Sequence, residues 1–233
     1  MIGIICAMQL EADGILSLAE GVTNENIYGM TFSRGTLRGK EVTVVVCGEG
    51  KVNAAMCAAT LIERYHPDAV INSGVAGALS PLVSIGDLVV GSKAVEHDMN
   101  MTPLGYKQGE VCVPGGTVTF FECDKNLSTQ LAAVCKTLPD TRVAQGIIAS
   151  GDMFVSDRKK RLRINDRFGA VACEMEGAAI GHVCCRCGVP YAILRAISDD
   201  LDENKGMDFT KFCRLAADKT VAVMEQFCAQ WKS

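Results

Sequence analysis

Apolar runs and helical repeats alternate along this chain. The run Ile2–Cys6 predicts a first strand, and a short helix is expected to follow through Glu11–Leu18. Two further β-rich runs, Tyr28–Thr36 and Val42–Cys47, are separated by Arg38-Gly39-Lys40, which is typical of a hairpin turn. The start of the chain is therefore predicted to be rich in β-structure.

Helical spacing dominates after this start. Apolar side chains recur at helical intervals from Lys51 to Tyr65, and Pro67-Asp68 ends the pattern before a strand at Ala69–Asn72. Apolar and aromatic side chains mark two more amphipathic helices, within 127–138 and 209–231. Passages that alternate between strand and helix in this way are typical of layered α/β proteins.

Length and composition are consistent with one folded unit. The chain has 233 residues, of which 48% are hydrophobic and 21% charged, so it can bury a sizeable core. No internal repeat or low-complexity linker marks a boundary. We therefore expect residues 1–233 to form a single α/β domain.

The charge balance argues against a polyanionic partner. The formal net charge is −4, whereas proteins that bind nucleic acids usually carry a basic surface that displaces counterions. The cationic cluster Arg158–Arg161, with Arg163 and Arg167, has apolar residues interleaved, so we interpret it as a helix or turn with a solvated face. No nucleic-acid partner is expected.

The twelve cysteines are interpreted as reduced thiols, because many lie in apolar runs where they pack as small hydrophobes. The cluster Cys184–Cys187 follows His182 and contains one C-x-x-C spacing, but without a second pair it predicts no metal site.

Met1 opens directly into a strand-like segment, and no apolar stretch has the length that spans a bilayer. We expect a cytoplasmic protein with no membrane partner.

Three carboxylates follow buried-strand patterns. Glu11 comes after the N-terminal run, and Glu176 comes soon after Ala170–Ala172. Asp199 ends the segment that leaves the apolar run Val189–Leu194. Functional sites of α/β sheets lie at the carboxyl ends of strands, so these acids indicate chemistry. The residues alone also allow a helix first-turn role for Glu11 and a helix-cap role for Asp199.

Two glycine-rich segments, Gly48–Lys51 and Gly74–Ala78, are predicted to be turns that follow strands. Glycine lets the backbone approach a ligand closely, and amides at a helix start can hold an anion or a sugar hydroxyl. Neither segment has the spacing of a phosphate loop or of a dinucleotide fingerprint. No local Ser-His-Asp or Cys-His set indicates covalent catalysis.

Five segments together resemble the 5′-methylthioadenosine/S-adenosylhomocysteine nucleosidases of the nucleoside phosphorylase superfamily. They are Ile2–Met8 with Glu11, Asn72–Gly77, Ser150–Phe154, Glu174–Ala178 and Arg195–Asp199. The resemblance runs nearly end to end. It implies a three-layer αβα sandwich with a central mixed β-sheet. It also implies hydrolysis of the bond between adenine N9 and ribose C1′ in methylthioadenosine, S-adenosylhomocysteine and 5′-deoxyadenosine, with nucleoside and water as small-molecule partners and no cofactor.

The same resemblance implies which residues act as acid, as base and as sugar-binding group in catalysis. Asp199 would be the general acid that delivers a proton towards adenine N7, with Ser198 orienting it. Glu11 would be the general base that takes a proton from the attacking water, with Arg195 orienting the water or Glu11 itself. Glu176 would accept hydrogen bonds from the ribose 2′- and 3′-hydroxyls. Paired carboxylates share acid and base work in the same way in glycoside hydrolysis.

The resemblance also implies a lining for the pocket. Phe154 would stack on adenine, although from the residues alone it reads as a core side chain, and the backbone of Val155 would pair with the base edge. Met175 would pack on the sugar face. The other implied lining residues are Met8, Gly77 and Phe209. If a helix begins at Met175, Glu174 and Glu176 point to different sides, so we expect only one of them in the site.

Two features concern the neighbours of the substrate. Glu49 falls where many relatives carry an apolar residue in the 5′-alkylthio pocket, so its carboxylate either meets the ammonium of a homocysteine tail or points into solvent. Met101 and Leu104 lie in the segment that, in relatives, reaches across a dimer interface into the neighbour's pocket. The resemblance therefore implies a homodimer.

Two alternative functions stay open at this stage. A purine nucleoside phosphorylase of the same fold would use phosphate, but Val75 stands at the serine-like turn position and Asn72 is uncharged, which favours water. A catalytically inert nucleoside-binding protein would need neither an acid nor a base. The joint presence of Glu11, Glu176 and Asp199 argues against that alternative.

Overall fold

The computed structural model describes residues 1–199, residue 201 and residues 209–231, but not the side chains of residues 209–211. Within these ranges the strands are β1 (Ile2–Cys6), β2 (Glu20–Ile27), β3 (Met30–Leu37), β4 (Lys40–Val46), β5 (Ala69–Ala78), β6 (Leu88–Glu96), β7 (Val111–Val113), β8 (Gly116–Val118), β9 (Phe121–Glu122), β10 (Val143–Ser150), β11 (Ala170–Glu174) and β12 (Tyr191–Asp199). The helices are α1 (Gln9–Ser17), α2 (Lys51–Tyr65), α3 (Lys125–Cys135), α4 (Arg158–Phe168), α5 (Gly177–Cys187) and α6 (Phe209–Gln230), and a 3-10 turn covers Thr102–Leu104.

One mixed sheet contains all of the described strands except the small β7–β8 hairpin. Its order is β11-β10-β6-β12-β5-β1-β4-β3-β2, with β9 paired to β6. Strands β4, β1, β5 and β12 are parallel neighbours, whereas β12 and β6 are antiparallel. β11 also pairs with the end of β5. The carboxyl ends of β1, β5 and β12 therefore meet at one edge, with the end of β11 beside them.

Helices cover both faces of the sheet. Successive side chains of a strand point to opposite faces, and β1 shows the division. Ile5 belongs to the core under α2 and α5, whereas Ile4 and Cys6 belong to the core under α1, α3 and α6. A smaller core lies under α4, around Ile164 and Phe168. This arrangement confirms the predicted three-layer αβα sandwich.

Most predicted elements are present, with shifted ends. The helix from Lys51 to Tyr65 and the hairpin turn before β4 are confirmed. Strand β2 was not predicted, because its side chains are mostly polar and exposed. The prediction of a turn at Gly74–Ala78 is wrong. This segment continues β5, whose backbone is hydrogen-bonded between β1 and β12 and then between β12 and β11.

None of the helices in the described part of the chain is long and apolar enough to cross a membrane.

Candidate active site

A cavity of about 240 Å³ opens at the edge of the sheet where β1, β5, β11 and β12 end. The loop that follows β10 closes its other side. The predicted site residues that line the cavity are Met8, Glu11, Gly77, Phe154, Val155, Met175, Glu176, Arg195, Ser198 and Asp199. Phe209 begins α6, but its side chain lies outside the described residues.

Glu11 is buried in the first turn of α1, and its carboxylate is held by three backbone amides. The N–H groups of Ala7 and Met8 donate to Oε2 at 2.9 and 3.0 Å, and the N–H of Val75 donates to Oε1 at 3.0 Å. Burial raises the pKa of Glu11, although Arg195 and the amides oppose the rise. Glu11 therefore folds back on its own helix start and also lines the cavity.

Gly74 makes room for this arrangement. A Cβ atom at Gly74 would lie 2.5 Å from Oε1 of Glu11 and 2.5 Å from Nη1 of Arg195. Both side chains are buried and packed, so neither can easily give way. The glycine in the middle of β5 thus marks a close approach of the Glu11 and Arg195 side chains to the strand.

Arg195 is a buried arginine of β12 that crosses β5. Its Nη1 donates to the carbonyl of Val75 at 3.2 Å, and its Nη2 donates to Asn72 and to the carboxylate of Glu174. Its Nε is buried and has no hydrogen-bond partner among the described residues. The same guanidinium lies 3.7 Å from Glu176. The Arg195 guanidinium therefore lies close to the carboxylates of both Glu174 and Glu176.

Both Glu174 and Glu176 line the cavity, so the expectation that only one would do so is wrong. Helix α5 begins at Gly177 rather than Met175, and Glu174 belongs to the end of β11. The Glu174 carboxylate accepts the N–H groups of Glu176 and Gly177 at 3.1 and 2.8 Å and the hydroxyl of Ser150. With Arg195 added, its oxygens are occupied, and it anchors the start of α5.

Glu176 is less heavily engaged than Glu174. Its Oε1 accepts the N–H of Gly50 at 2.9 Å, so an amide of the Gly48–Lys51 turn holds a carboxylate of the protein. Burial, followed by repulsion from Glu174, raises the pKa of Glu176 to about 7. Glu176 is thus the carboxylate of this pair with capacity to bind hydroxyl groups.

Asp199 ends β12 and is held from two sides. The Ser198 hydroxyl donates to its Oδ1 at 2.9 Å, and the guanidinium of Arg161 pairs with its Oδ2. The carboxyl lies against the backbone at Gly77, where a Cβ atom would be 2.9 Å from Oδ2. Arg161 is buried and lines the cavity, so the prediction of a solvated face is wrong for this member of the cationic cluster.

The loop after β10 is held by charged groups outside the cavity. Asp152 accepts the N–H of Lys51 at 2.7 Å and donates its own N–H to Asp98 at 2.8 Å, while the Lys51 ammonium lies 2.7 Å from Asp98. The loop then places Val155 in the interior and leaves Phe154 61% exposed. The exposure of Phe154 contradicts its interpretation as a core residue.

Three further predicted positions lie at the rim or beyond it. Glu49 lines the cavity and is exposed, so its side chain borders both the cavity and solvent. Met101 and Leu104 lie in and beside the 3-10 turn, away from the cavity lining, and Leu104 is 75% exposed. Their predicted contact is with the pocket of a second copy.

Arg161 is a charged cavity residue that sequence reasoning missed, although the sequence carried a signal for it. Positions 161, 164 and 168 share one face of a helix, and both Ile164 and Phe168 are buried. The charge run Arg158–Arg161 obscured this periodicity. Placing each arginine on the helical face would have separated Arg161 from its exposed neighbours.

Known proteins share both the sequence and the fold. The profile of the phosphorylase superfamily matches residues 1–229. A 5′-methylthioadenosine/S-adenosylhomocysteine nucleosidase from Geobacillus kaustophilus is 38% identical over 215 residues, 92% of this chain and 90% of the relative.

Two solved structures extend the comparison. The same kind of nucleosidase from Neisseria meningitidis, in complex with methylthio-immucillin-A, has a TM-score of 0.91 and 32% identity, covering 99% of each chain. A futalosine hydrolase of Helicobacter pylori has a TM-score of 0.90 and 31% identity, covering 99% of this chain and 97% of its own. Sequence and structure agree that this chain belongs to the 5′-methylthioadenosine/S-adenosylhomocysteine nucleosidase family of the phosphorylase superfamily.

Proposed function

We infer that this chain is a hydrolase that cleaves the N-glycosidic bond of 5′-methylthioadenosine and S-adenosylhomocysteine to adenine and the 5-thioribose product, and that it also accepts 5′-deoxyadenosine. Membership of the family supports this function. The observation that carries it is one cavity that contains a buried glutamate held by backbone amides, Glu11, and a separate aspartate at the end of β12, Asp199. The cavity thus offers one carboxyl group to protonate the leaving adenine and a second one to activate the water.

Asp199 is proposed as the general acid. Adenine is a poor leaving group as an anion, so a proton on N7 lowers the barrier to breaking the bond from N9 to C1′. Ser198 donates to Oδ1 of Asp199 at 2.9 Å, which fixes the plane of the carboxyl. The proton passes to N7, the electron pair of the broken bond goes to the purine, and Asp199 is left as a carboxylate.

Glu11 is proposed as the general base. A base must be ionised to act, and the three amide donors stabilise the ionised form of Glu11 against the effect of its burial. Arg195, whose buried Nε is not bonded to any described residue, is suited to orient a water molecule or Glu11. The water oxygen adds to C1′ as adenine departs, and Glu11 takes the proton.

The remaining residues are proposed to bind the nucleoside. Glu176 accepts the ribose 2′- and 3′-hydroxyls, Met175 packs on the sugar, Phe154 stacks on adenine, and the Val155 backbone pairs with its edge. The further proposed lining residues are Met8, Gly77 and Phe209. Methionine sulfur and aromatic rings form a soft apolar lining that suits a thioether.

Water, rather than phosphate, is proposed as the second substrate. Among the described residues that line the cavity, the cations are Arg161 and Arg195, and an acidic side chain of the protein already contacts each of them. A phosphate beside Glu11 and Glu176 would meet repulsion from like charges. Val75, at the position where a phosphorylase would offer a hydroxyl, contributes its N–H to Glu11 instead.

We further propose that residues 1–233 act as a single domain in a homodimer, with Met101 and Leu104 entering the pocket of the second copy. The cytoplasm is the proposed location, because all twelve cysteines are free thiols and reducing compartments preserve thiols.

Adenine release tests this function directly. The purified chain is incubated with methylthioadenosine, S-adenosylhomocysteine, 5′-deoxyadenosine and a futalosine derivative, with and without phosphate. We expect release that does not need phosphate and favours the first two substrates. Asp199→Asn, which keeps the shape of the side chain, should lower kcat on the order of 10²–10⁴-fold.

Other outcomes would select other functions. Release that depends on phosphate would identify a phosphorylase, and binding without release would identify an inert scaffold. Preference for the futalosine derivative would replace the proposed substrates. An unchanged kcat in Asp199→Asn would remove Asp199 as the acid.

A further inference from the structure

Arg161 occupies a position in the cavity to which the proposed reaction assigns no role. It is the buried arginine of α4, whereas Arg158, Arg163 and Arg167 on the same helix are exposed. A buried charge is costly unless it is paired. Arg161 forms an ion pair with Asp199, the proposed acid.

Two further hydrogen bonds of Arg161 lie at the same end of the cavity. Its Nε donates to the carbonyl of Val155 at 2.8 Å, and its Nη1 donates to the carbonyl of Ala78 at 3.4 Å. Val155 belongs to the loop proposed to read the base, and Ala78 ends β5. The Arg161 guanidinium therefore contacts the proposed acid, the loop proposed to bind adenine, and the end of β5.

The position has a direct consequence for proton transfer. As Asp199 gives up its proton, it changes from a neutral carboxyl to a carboxylate. A fixed cation beside Oδ2 stabilises the product of that change more than its starting state, so it stabilises the transition state. Ser198 on Oδ1 and Arg161 on Oδ2 also hold the carboxyl from opposite sides.

We propose that Arg161 is a positioning residue for this reaction, which fixes the carboxyl of Asp199 and stabilises the carboxylate that Asp199 becomes as its proton passes to the purine. The inference rests on the proposed acid role of Asp199. The balance of the reaction is unchanged. The N9–C1′ bond breaks, the water oxygen bonds to C1′, and Glu11 receives a proton from the water. After the products leave, Asp199 takes a proton from solvent and Glu11 returns one to it.

The test uses two substrates that differ in their need for an acid. Methylthioadenosine requires protonation of its leaving group, whereas 4-nitrophenyl 5-methylthioriboside releases a stable phenolate without it. Arg161→Met should lower kcat for methylthioadenosine on the order of 10²-fold, with little change in KM, and should leave kcat for the nitrophenyl substrate unchanged. Arg161→Lys, which keeps the charge, should recover part of the loss.

Controls separate this inference from the function on which it rests. Arg163→Met removes an exposed arginine of the same helix and should affect neither substrate. Asp199→Asn should show the same selective loss as Arg161→Met. If Asp199→Asn lowers kcat equally for both substrates, the proposed acid role of Asp199 is wrong.

Two results would overturn the role of Arg161 alone. One is a selective loss in Asp199→Asn together with an equal loss on both substrates in Arg161→Met, which would make Arg161 merely structural. The other is full activity of Arg161→Met on methylthioadenosine. If Arg161→Met does not fold, Arg161→Lys decides the matter, because an equal loss on both substrates in a folded lysine variant contradicts the proposal.

Discussion

Carboxylates outnumber cations around Arg195. Glu11, Glu174 and Glu176 all lie near this one guanidinium, and Glu174 takes its closest contact. Burial, followed by repulsion from Glu174, raises the pKa of Glu176 to about 7. Functional sites often retain such unfavourable charge because the reaction needs it.

The raised pKa of Glu176 predicts that its carboxylate destabilises the folded protein at high pH. Its pKa is higher in the folded protein than its ordinary value of 4.5, so the folded state binds the proton more tightly. The resulting destabilisation is absent at pH values below 4.5 and complete above about 7. Glu176→Gln cannot ionise but still accepts the N–H of Gly50. It should raise the free energy of unfolding near pH 8 by about 1–3 kcal/mol, and the gain should shrink towards about pH 5.

Urea unfolding at the two pH values measures this effect. Glu63→Gln on α2 is the matched control, because Glu63 is exposed, and it should change stability little at either pH. A loss of stability in Glu176→Gln near pH 8 would contradict the prediction. It would mean that the contacts of the carboxylate outweigh the cost of burying its charge.

At the scale of elements, helix α4 decides where Arg161 lies. The helix begins after Asp157, whose side chain accepts the N–H of Lys160 at 2.8 Å, and it ends at Gly169 in a left-handed conformation. Ile164 and Phe168 pack the same face against the core. The cap and the packed face together fix the rotation of the helix.

Removal of the cap is expected to weaken α4. Asp157→Ala leaves the amide of Lys160 without its side-chain acceptor and should lower the free energy of unfolding by about 1 kcal/mol. Asp166→Ala, at an exposed interior position of the same helix, should have a much smaller effect. Urea unfolding of both variants makes the comparison, and equal losses would show that the cap does not stabilise the helix.

Sequence periodicity predicted the helices better than the strands. The repeat over Lys51–Tyr65 gave both ends of α2, since apolar spacing is a local property. Strand β2 has no buried face to mark it. The glycines of Gly74–Ala78 resembled a turn, but they are explained by side chains from distant segments that lie against β5.

At the scale of the whole molecule, exposed apolar side chains bear on assembly. Leu104 is 75% exposed and Leu82 is 74% exposed, but only Leu104 lies in the segment predicted to contact a second copy. Large exposed apolar groups are favourable sites for association when they belong to a patch. The two leucines therefore form a matched pair for a test.

We expect the protein to sediment as a dimer. Leu104→Glu should shift it towards monomer and lower adenine release at low protein concentration, because a buried unpaired charge opposes association. Leu82→Glu should leave both properties unchanged. Sedimentation velocity and activity over a dilution series provide the measurement. A dimer unaffected by Leu104→Glu, or equal effects of both variants, would exclude the proposed interface.

The sequence by itself determined the class of fold, the main helices and the family, and it singled out Glu11, Glu176 and Asp199. These depend on local spacing and on motifs in a fixed order. Only the tertiary structure decided that Glu174 anchors α5 while Glu176 stays available, and that Arg161 is buried against Asp199.

The physical reason is distance along the chain. Arg161 and Asp199 are 38 positions apart, and Gly50 and Glu176 are 126 apart. Periodicity reports which face of an element is apolar, but it carries no record of which polar group on another element will be met there. That pairing is set only when the strands align and their carboxyl ends converge at one edge of the sheet.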